Sequence, residues 1–366
     1  MTLDTFDPTA GELSQAIASF AQTELGPRVA ALDLFPSAMP TLTPMAALGP
    51  LGLPGLAHDA PALSLPELAA IVWSLGRTCA GLGAYVAQAA IAQRWAQRLG
   101  VIIDGKPVAL ALQEAVELLA DDGEGDVALA VAAHVRGGLE SEARLVARKR
   151  AVPLASEASA VAILARRDSR LGLAWVSRDE LKVGAPVPLL GTRAMPCADL
   201  EARDARLLAW SDLSNLEVSR LFAELSIALL ASAGGSASAS AEAASQYAQE
   251  RHQGGVLIER HEPVALLVAA IHANVACARA VLVESASALE RDVPGCVVDA
   301  LRARGTAGRA IVRATTDAVQ VLGGYGYMRE LGLEKRMRDA VTLSLLPLDG
   351  TRAALLAARL EREANP

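Results

Sequence analysis

The sequence predicts an α+β fold in three parts: an N-terminal helical domain over 1–103, a middle β domain over 104–212 and a C-terminal helical bundle over 213–366. Three observations carry the prediction. Apolar residues recur at helical intervals at both ends of the chain; the texture changes near Gly105 to short apolar or β-branched runs; the helical period returns at Leu213 and persists. At 366 residues the chain is long enough to bury several packed layers without staples.

In the first part, residues 11–32 read as one amphipathic helix, with Leu13, Ile17, Phe20, Ala21 and Leu25 on one stripe before Pro27. Two punctuated stretches, PSAMPTLTP and LGPLGLPGL, separate it from a second helical run over 65–99. The middle part holds the runs PVALALQ, DVALAVAAHV, ARLVARKRAV, AVAILARR, LGLAWVSR and LKVGAPVPLL. Turns such as ADDGEGD and RDSRLG lie between them, at the spacing of an antiparallel β-barrel or sandwich. Four helices are expected near 214–251, 260–290, 293–322 and 333–363, enough for an antiparallel four-helix bundle. GGSASASAEAAS, inside the first of these, suits either a flexible linker or close helix packing, and the helical period running through it favours the second.

Composition excludes several classes. A formal charge of −7 opposes a nucleic-acid surface, which needs clustered Lys and Arg. Cys79, Cys197, Cys277 and Cys296 lie far apart without metal-ligand spacing, so neither a zinc site nor a disulfide framework is expected. The acidic opening MTLDTFDPTAGELSQ lacks the order of an export signal, and a reducing, cytoplasmic setting follows. The apolar run over 264–283 nears membrane-spanning length but contains His272, Asn274 and Arg279, and reads as an interior bundle helix with no membrane span.

The most unusual stretch is QVLGGYGYMRE followed by EKRMRDA, three glycines and dense charge in an alanine- and leucine-rich chain. Together with the α/β/α order it resembles the acyl-CoA dehydrogenase family. FAQTELGPRVAALD, LGTRAMP and YAQERHQGG extend the likeness over nearly the whole chain. The resemblance implies an FAD-dependent enzyme that dehydrogenates an acyl-CoA thioester and passes electrons to electron-transfer flavoprotein. It also implies that Gln320, Gly323, Gly324, Tyr325 and Gly326 lie against the FAD of a neighbouring subunit, with Arg251 and Gln253 from ERHQGG reaching the same cofactor. A planar guanidinium pairs well with phosphate oxygens.

Elsewhere the chain departs from the family. Where the family holds its flavin with threonines and an aromatic residue, Gln113, Ala151 and Pro153 stand here, which removes two hydroxyls and a stacking face. The family's Glu-Gly-Thr triplet, which supplies the catalytic base, reads Asp349-Gly350-Thr351, one methylene shorter and two residues later. Asp349 is thus the candidate base, with helix capping as its competing role, and Thr351 a candidate cofactor contact. Glu224 lies near the register of an alternative base, and Gly254 replaces a phenylalanine. The expectation is a subunit of a heteromeric α2β2 acyl-CoA dehydrogenase acting on a bulky or steroid side-chain thioester. A related chain would bind most of the FAD. A homo-oligomeric enzyme using Asp349, or a non-catalytic scaffold, stays open.

Overall fold

The computed structural model describes residues 11–33, 62–103, 107–113, 119–121, 127–129, 131–137 and 142–364. The proline- and glycine-punctuated stretches between residues 36 and 56 lie outside that set. The first helix is broken where one continuous helix was expected. α1 (Gly11–Phe20) passes through a π turn, Ala21–Leu25, and a 3₁₀ turn, Gly26–Arg28, before α2 (Val29–Asp33). Pro27 has no N–H for the helical ladder, so the turn must readjust around it, while Ile17, Ala21 and Leu25 stay buried.

The run over 65–99 is two helices, α3 (Leu65–Thr78) and α4 (Ala80–Arg98), with Cys79 extended between them. A capping box starts α3: Glu67 N–H donates to Ser64 Oγ at 3.3 Å and Ser64 N–H to Glu67 Oε2 at 2.9 Å.

Among the described residues nine strands follow: β1 (Val108–Ala111), β2 (Leu119–Asp121), β3 (Val127–Leu129), β4 (His134–Arg136), β5 (Arg144–Pro153), β6 (Ala160–Arg167), β7 (Arg170–Ser177), β8 (Lys182–Pro186) and β9 (Cys197–Leu213). Pairings β4–β5, β5–β9, β9–β7, β7–β6 and β6–β4 close a five-stranded ring, and β1 and β8 extend it. The expected antiparallel pattern holds for most of the ring but not for β1–β6 and β4–β6, which are parallel. Both reach β6 through long excursions of chain, and a short apolar run carries no mark of strand direction. The longest strand, β9, was not among the expected runs. Its LEARDARLLA is rich in helix formers, and tertiary pairing overrides that propensity.

The C-terminal part opens with α5 (Asn215–Glu250), one 36-residue helix running straight through the glycine- and serine-rich stretch. A Cβ on Gly76 of α3 would sit 2.0 Å from the Ser232 carbonyl oxygen, and one on Gly235 2.0 Å from that of Trp73. These small residues thus mark backbone-to-backbone contact and not a linker. After the ribbon β10 (His252–Gln253) and β11 (Val256–Leu257) come α6 (Glu262–Glu290), α7 (Cys296–Leu322), α8 (Leu333–Leu345) and α9 (Gly350–Ala364). The expected fourth helix is therefore two, because Pro347 cannot continue the ladder. Nor is α6 an interior helix: 17% of its most apolar stretch is buried, against 94% for α5.

LGTRAMP and RMRDA meet at one joint. Asp339, fully buried, accepts the Thr192 N–H at 2.5 Å through Oδ1 and the Lys335 ammonium at 2.6 Å through Oδ2. Thr342 Oγ1 accepts the Gly191 N–H, and Arg338 reaches Asp33 at 2.7 Å and the Leu190 carbonyl at 2.9 Å. Burial pushes the Lys335 pKa down, but Asp339 and the Cys79 sulfur beside it more than offset this and raise it. Asp339→Ala, which strands a buried ammonium, should cost ~3–5 kcal/mol of folding free energy in equilibrium denaturation. Gly235→Ala, which forces α3 and α5 apart, should cost ~1–3 kcal/mol in the same measurement.

Candidate functional site

The ends of α5 and α7 converge on one exposed surface. α5 stops at Glu250 as Arg251 turns extended, and β10 and β11 fold back across Gly254–Gly255. α7 stops at Leu322 because Gly323 takes φ +57, a conformation that disfavours any side chain. The Arg251 guanidinium lies 5.8 Å from the Tyr325 ring centroid, and that ring is 6.3 Å from Tyr247. Arg251, Gln253, Gln320, Gly323, Gly324 and Tyr325 are all exposed, and a Cβ on Gly323 or Gly324 would meet nothing within 4 Å. Gly326 differs: it is buried, and a Cβ there would press to 2.4 Å on the Val319 carbonyl oxygen. It holds the turn against α7 and leaves the contact to its neighbours.

Gln113, Ala151 and Pro153 line a second place, together with Gln88, Leu225 and Pro347. The cavity there measures ≈ 20 Å³, room for one water and far below the ~300 Å³ at which ligand pockets begin. β5 bulges against β9 here; Ala151 has φ +46 and its N–H donates to Asp199 Oδ1 at 2.9 Å. Gln88 Oε1 is buried without a partner. Among the described residues, the lining of this place offers a flavin neither a side-chain hydroxyl nor an aromatic face.

Asp349 caps α9. Its Oδ1 accepts the Thr351 N–H at 2.8 Å and the Arg352 N–H at 3.0 Å, and Oδ2 faces the Arg352 guanidinium at 3.1 Å. Burial pushes its pKa up, yet the two N–H bonds and the Arg352 and Arg304 guanidinium groups outweigh this and hold it below the usual carboxylate range. Such a carboxylate is ill-suited to remove a proton from carbon. Thr351 is exposed on the first turn of the same helix. Arg304, 1% exposed, donates to the Ser344 and Leu346 carbonyls and to Ser226 Oγ, and so clamps the break between α8 and α9. Burial lowers its pKa to about 10, against the pull of Asp349. Glu224, near the register of an alternative base, is wholly buried: it accepts from Trp95 Nε1 at 3.0 Å and Arg220 Nε at 2.9 Å, with Arg94 at 3.4 Å. Its oxygens are occupied by structure.

A cleft of ≈ 590 Å³ opens where the β6–β7 turn, the end of β9 and the start of α5 meet α9. Arg166, Arg170 and Arg359 line it with Asp212 and Glu217; Arg170 pairs with Asp212 at 2.7 Å and Arg359 with Glu363 at 2.7 Å. None of these residues stands in a motif. Three distant segments supply them, so only the fold could have assembled the set.

A helical layer, a closed strand ring and a helical bundle meet at Asp339. Residues 217–359 match the acyl-CoA dehydrogenase C-terminal domain family. The chain is 38% identical over 110 residues to cyclohex-1-ene-1-carbonyl-CoA dehydrogenase of Geobacter metallireducens, covering 30% of this chain and 29% of that protein. It is 34% identical over 128 residues to an acyl-CoA dehydrogenase of Bacillus subtilis, covering 35% and 32%. The chain thus aligns with about a third of the length of these curated relatives. Butyryl-CoA dehydrogenase from Megasphaera elsdenii shares the fold with a TM-score of 0.81 at 18% identity, over 96% of this chain and 98% of that one. Residues 217–359 thus carry an acyl-CoA dehydrogenase C-terminal domain, and the chain as a whole shares the fold of butyryl-CoA dehydrogenase.

With its pKa depressed, Asp349 contributes to stability fully above the ordinary carboxylate range, and the contribution is lost as pH falls through the lowered value. Asp349→Ala should cost ~1 kcal/mol near neutral pH, and the difference from the parent should shrink in acid when denaturation is followed across pH.

Proposed function

We propose that this chain is one subunit of a heteromeric FAD-dependent acyl-CoA dehydrogenase, an oxidoreductase that dehydrogenates an acyl-CoA thioester between its α and β carbons. A related chain holds the FAD and the catalytic base, in an α2β2 assembly. This chain contributes Arg251, Gln253, Gln320, Gly323, Gly324 and Tyr325 across the interface, with Gly326 shaping the turn and Thr351 at the edge of its own reduced site. The observation that carries the reading is an asymmetry: the surface at Arg251 and the glycine turn is open, whereas the cavity at Gln113 and Ala151 is ≈ 20 Å³.

When bound in the partner, FAD supplies the hydride acceptor. This chain's part is to pair Arg251 with phosphate oxygens of that cofactor and to present unobstructed backbone beside it. Tyr325 keeps the guanidinium in place from its ring face. The arginine-lined cleft suits the phosphate-bearing end of a CoA thioester. The capped state of Asp349 favours this reading over a homo-oligomeric enzyme that uses Asp349 as base. Bulky, steroid side-chain thioesters are the substrate class, electron-transfer flavoprotein the acceptor and the cytoplasm the setting. The three-part division at 1–103, 104–212 and 213–366 belongs to the same proposal.

The chain purified alone should show no flavin absorbance, and co-purified with its flavin-binding partner it should show one FAD per pair. Stoichiometric flavin on the lone chain overturns the reading. In the complex, Arg251→Ala should weaken FAD retention by ~1.5–3 kcal/mol, about ten- to a hundredfold in the dissociation constant.

A further inference from the structure

Two segments build the surface at Arg251. One is the end of α5 with β10, from Tyr247 to Gln253; the other is the end of α7 with its turn, from Gln320 to Tyr327. Among the described residues no hydrogen bond or ion pair joins them, and the bonds stay within each. The Arg251 N–H donates to the Tyr247 carbonyl at 2.9 Å, and the Met328 N–H to the Tyr325 carbonyl at 3.0 Å. Gly323 and Gly324 face open space, so that part of the turn has no neighbour to lean on.

What crosses between the segments is one aromatic ring. Tyr325 is 48% exposed and stands between Gly324 and Gly326, with its centroid 6.3 Å from that of Tyr247 and the two planes tilted at 51°. The Arg251 guanidinium lies 5.8 Å from the same ring. Tyr247 is the anchored member: it is half-buried, packs on the hydrophobic core and precedes Arg251 by one helical turn on the same face of α5. Tilted aromatic pairs at this separation attract through their quadrupoles, and a ring face attracts a guanidinium. An exposed arginine otherwise spreads over many rotamers, and fixing it before an anion arrives removes that loss from binding.

We propose that Tyr247 is a positioning residue: through the Tyr325 ring it holds the Arg251 guanidinium and the glycine turn in one arrangement, ready for the pyrophosphate of FAD. The inference rests on the proposed function for the identity of that anion, and on the two ring contacts for the way the arrangement is held. Neither tyrosine hydroxyl makes a hydrogen bond among the described residues, so the ring carries the role.

Substitutions separate the ring from its bulk. In the assembled complex, Tyr247→Leu, which keeps apolar volume without the ring, should weaken FAD retention about two- to fivefold, read from the fluorescence of released FAD at equilibrium. Tyr247→Phe should match the parent. In the Arg251→Ala background Tyr247→Leu should add nothing, because it acts through the guanidinium. In the lone chain the Met328 amide should exchange with deuterium about two- to fivefold faster in Tyr247→Leu, and at the parent rate in Tyr247→Phe. Parental retention in Tyr247→Leu, an equal loss with and without Arg251, or a loss in Tyr247→Phe as large as in Tyr247→Leu overturns the proposal. So does unchanged amide exchange in the lone chain. FAD retention that ignores Arg251→Ala defeats the proposed function instead, and the exchange rates then still decide whether Tyr247 holds the turn.

Discussion

Asp339 is the group on which the architecture turns. A carboxylate with no solvent exposure takes the N–H of Thr192 from the β8–β9 loop of the barrel and the ammonium of Lys335 from its own helix. Buried charge of this kind is tolerated when it is paired and hydrogen-bonded. The next residue back, Arg338, carries the tie outward to Asp33 at the end of α2. One turn of α8 therefore fixes the bundle, the barrel and the first helices relative to each other. The joint also bears on Gly191, where a Cβ would lie 2.3 Å from the Arg338 carbonyl oxygen.

Around this joint the chain's sites differ in how open they are. The scaffold contacts, the arginine cleft and the exposed turn beside Arg251 are well formed. At Gln113, Ala151 and Pro153 the cavity measures ≈ 20 Å³, and the Gln88 amide oxygen beside it has no partner among the described residues. Closure costs little when apolar side chains fill the space, whereas the scaffold contacts cannot be relaxed without unfolding.

The broad order of helices and strands was legible because it rests on period alone, and the resemblance was legible because glycines and buried charges must occupy fixed places. What escaped the sequence has a physical cause in each case. Parallel pairing of β1 and β4 on β6 depends on long-range chain path. The strand β9 is written in helix formers, and its partners decide its state. Glu224 reads as a surface carboxylate until Arg94, Arg220 and Trp95 are brought to it from other segments. The cap at Asp349 was readable as one of two roles, since Asp before a helix serves either. The arginine cleft was not readable at all, because Arg166, Arg170 and Arg359 converge only in space.

The contact of α3 with α5 has a mechanical consequence. Gly76 and Gly235 lock the two helices backbone to backbone, so they move as one stiff beam. That beam runs the 36 residues of α5, about 54 Å at 1.5 Å per residue, and carries Arg251 at its tip. A tilt of about one degree at its base displaces the tip by about 1 Å. The position of Arg251 is therefore sensitive to the angle at which α5 leaves the barrel.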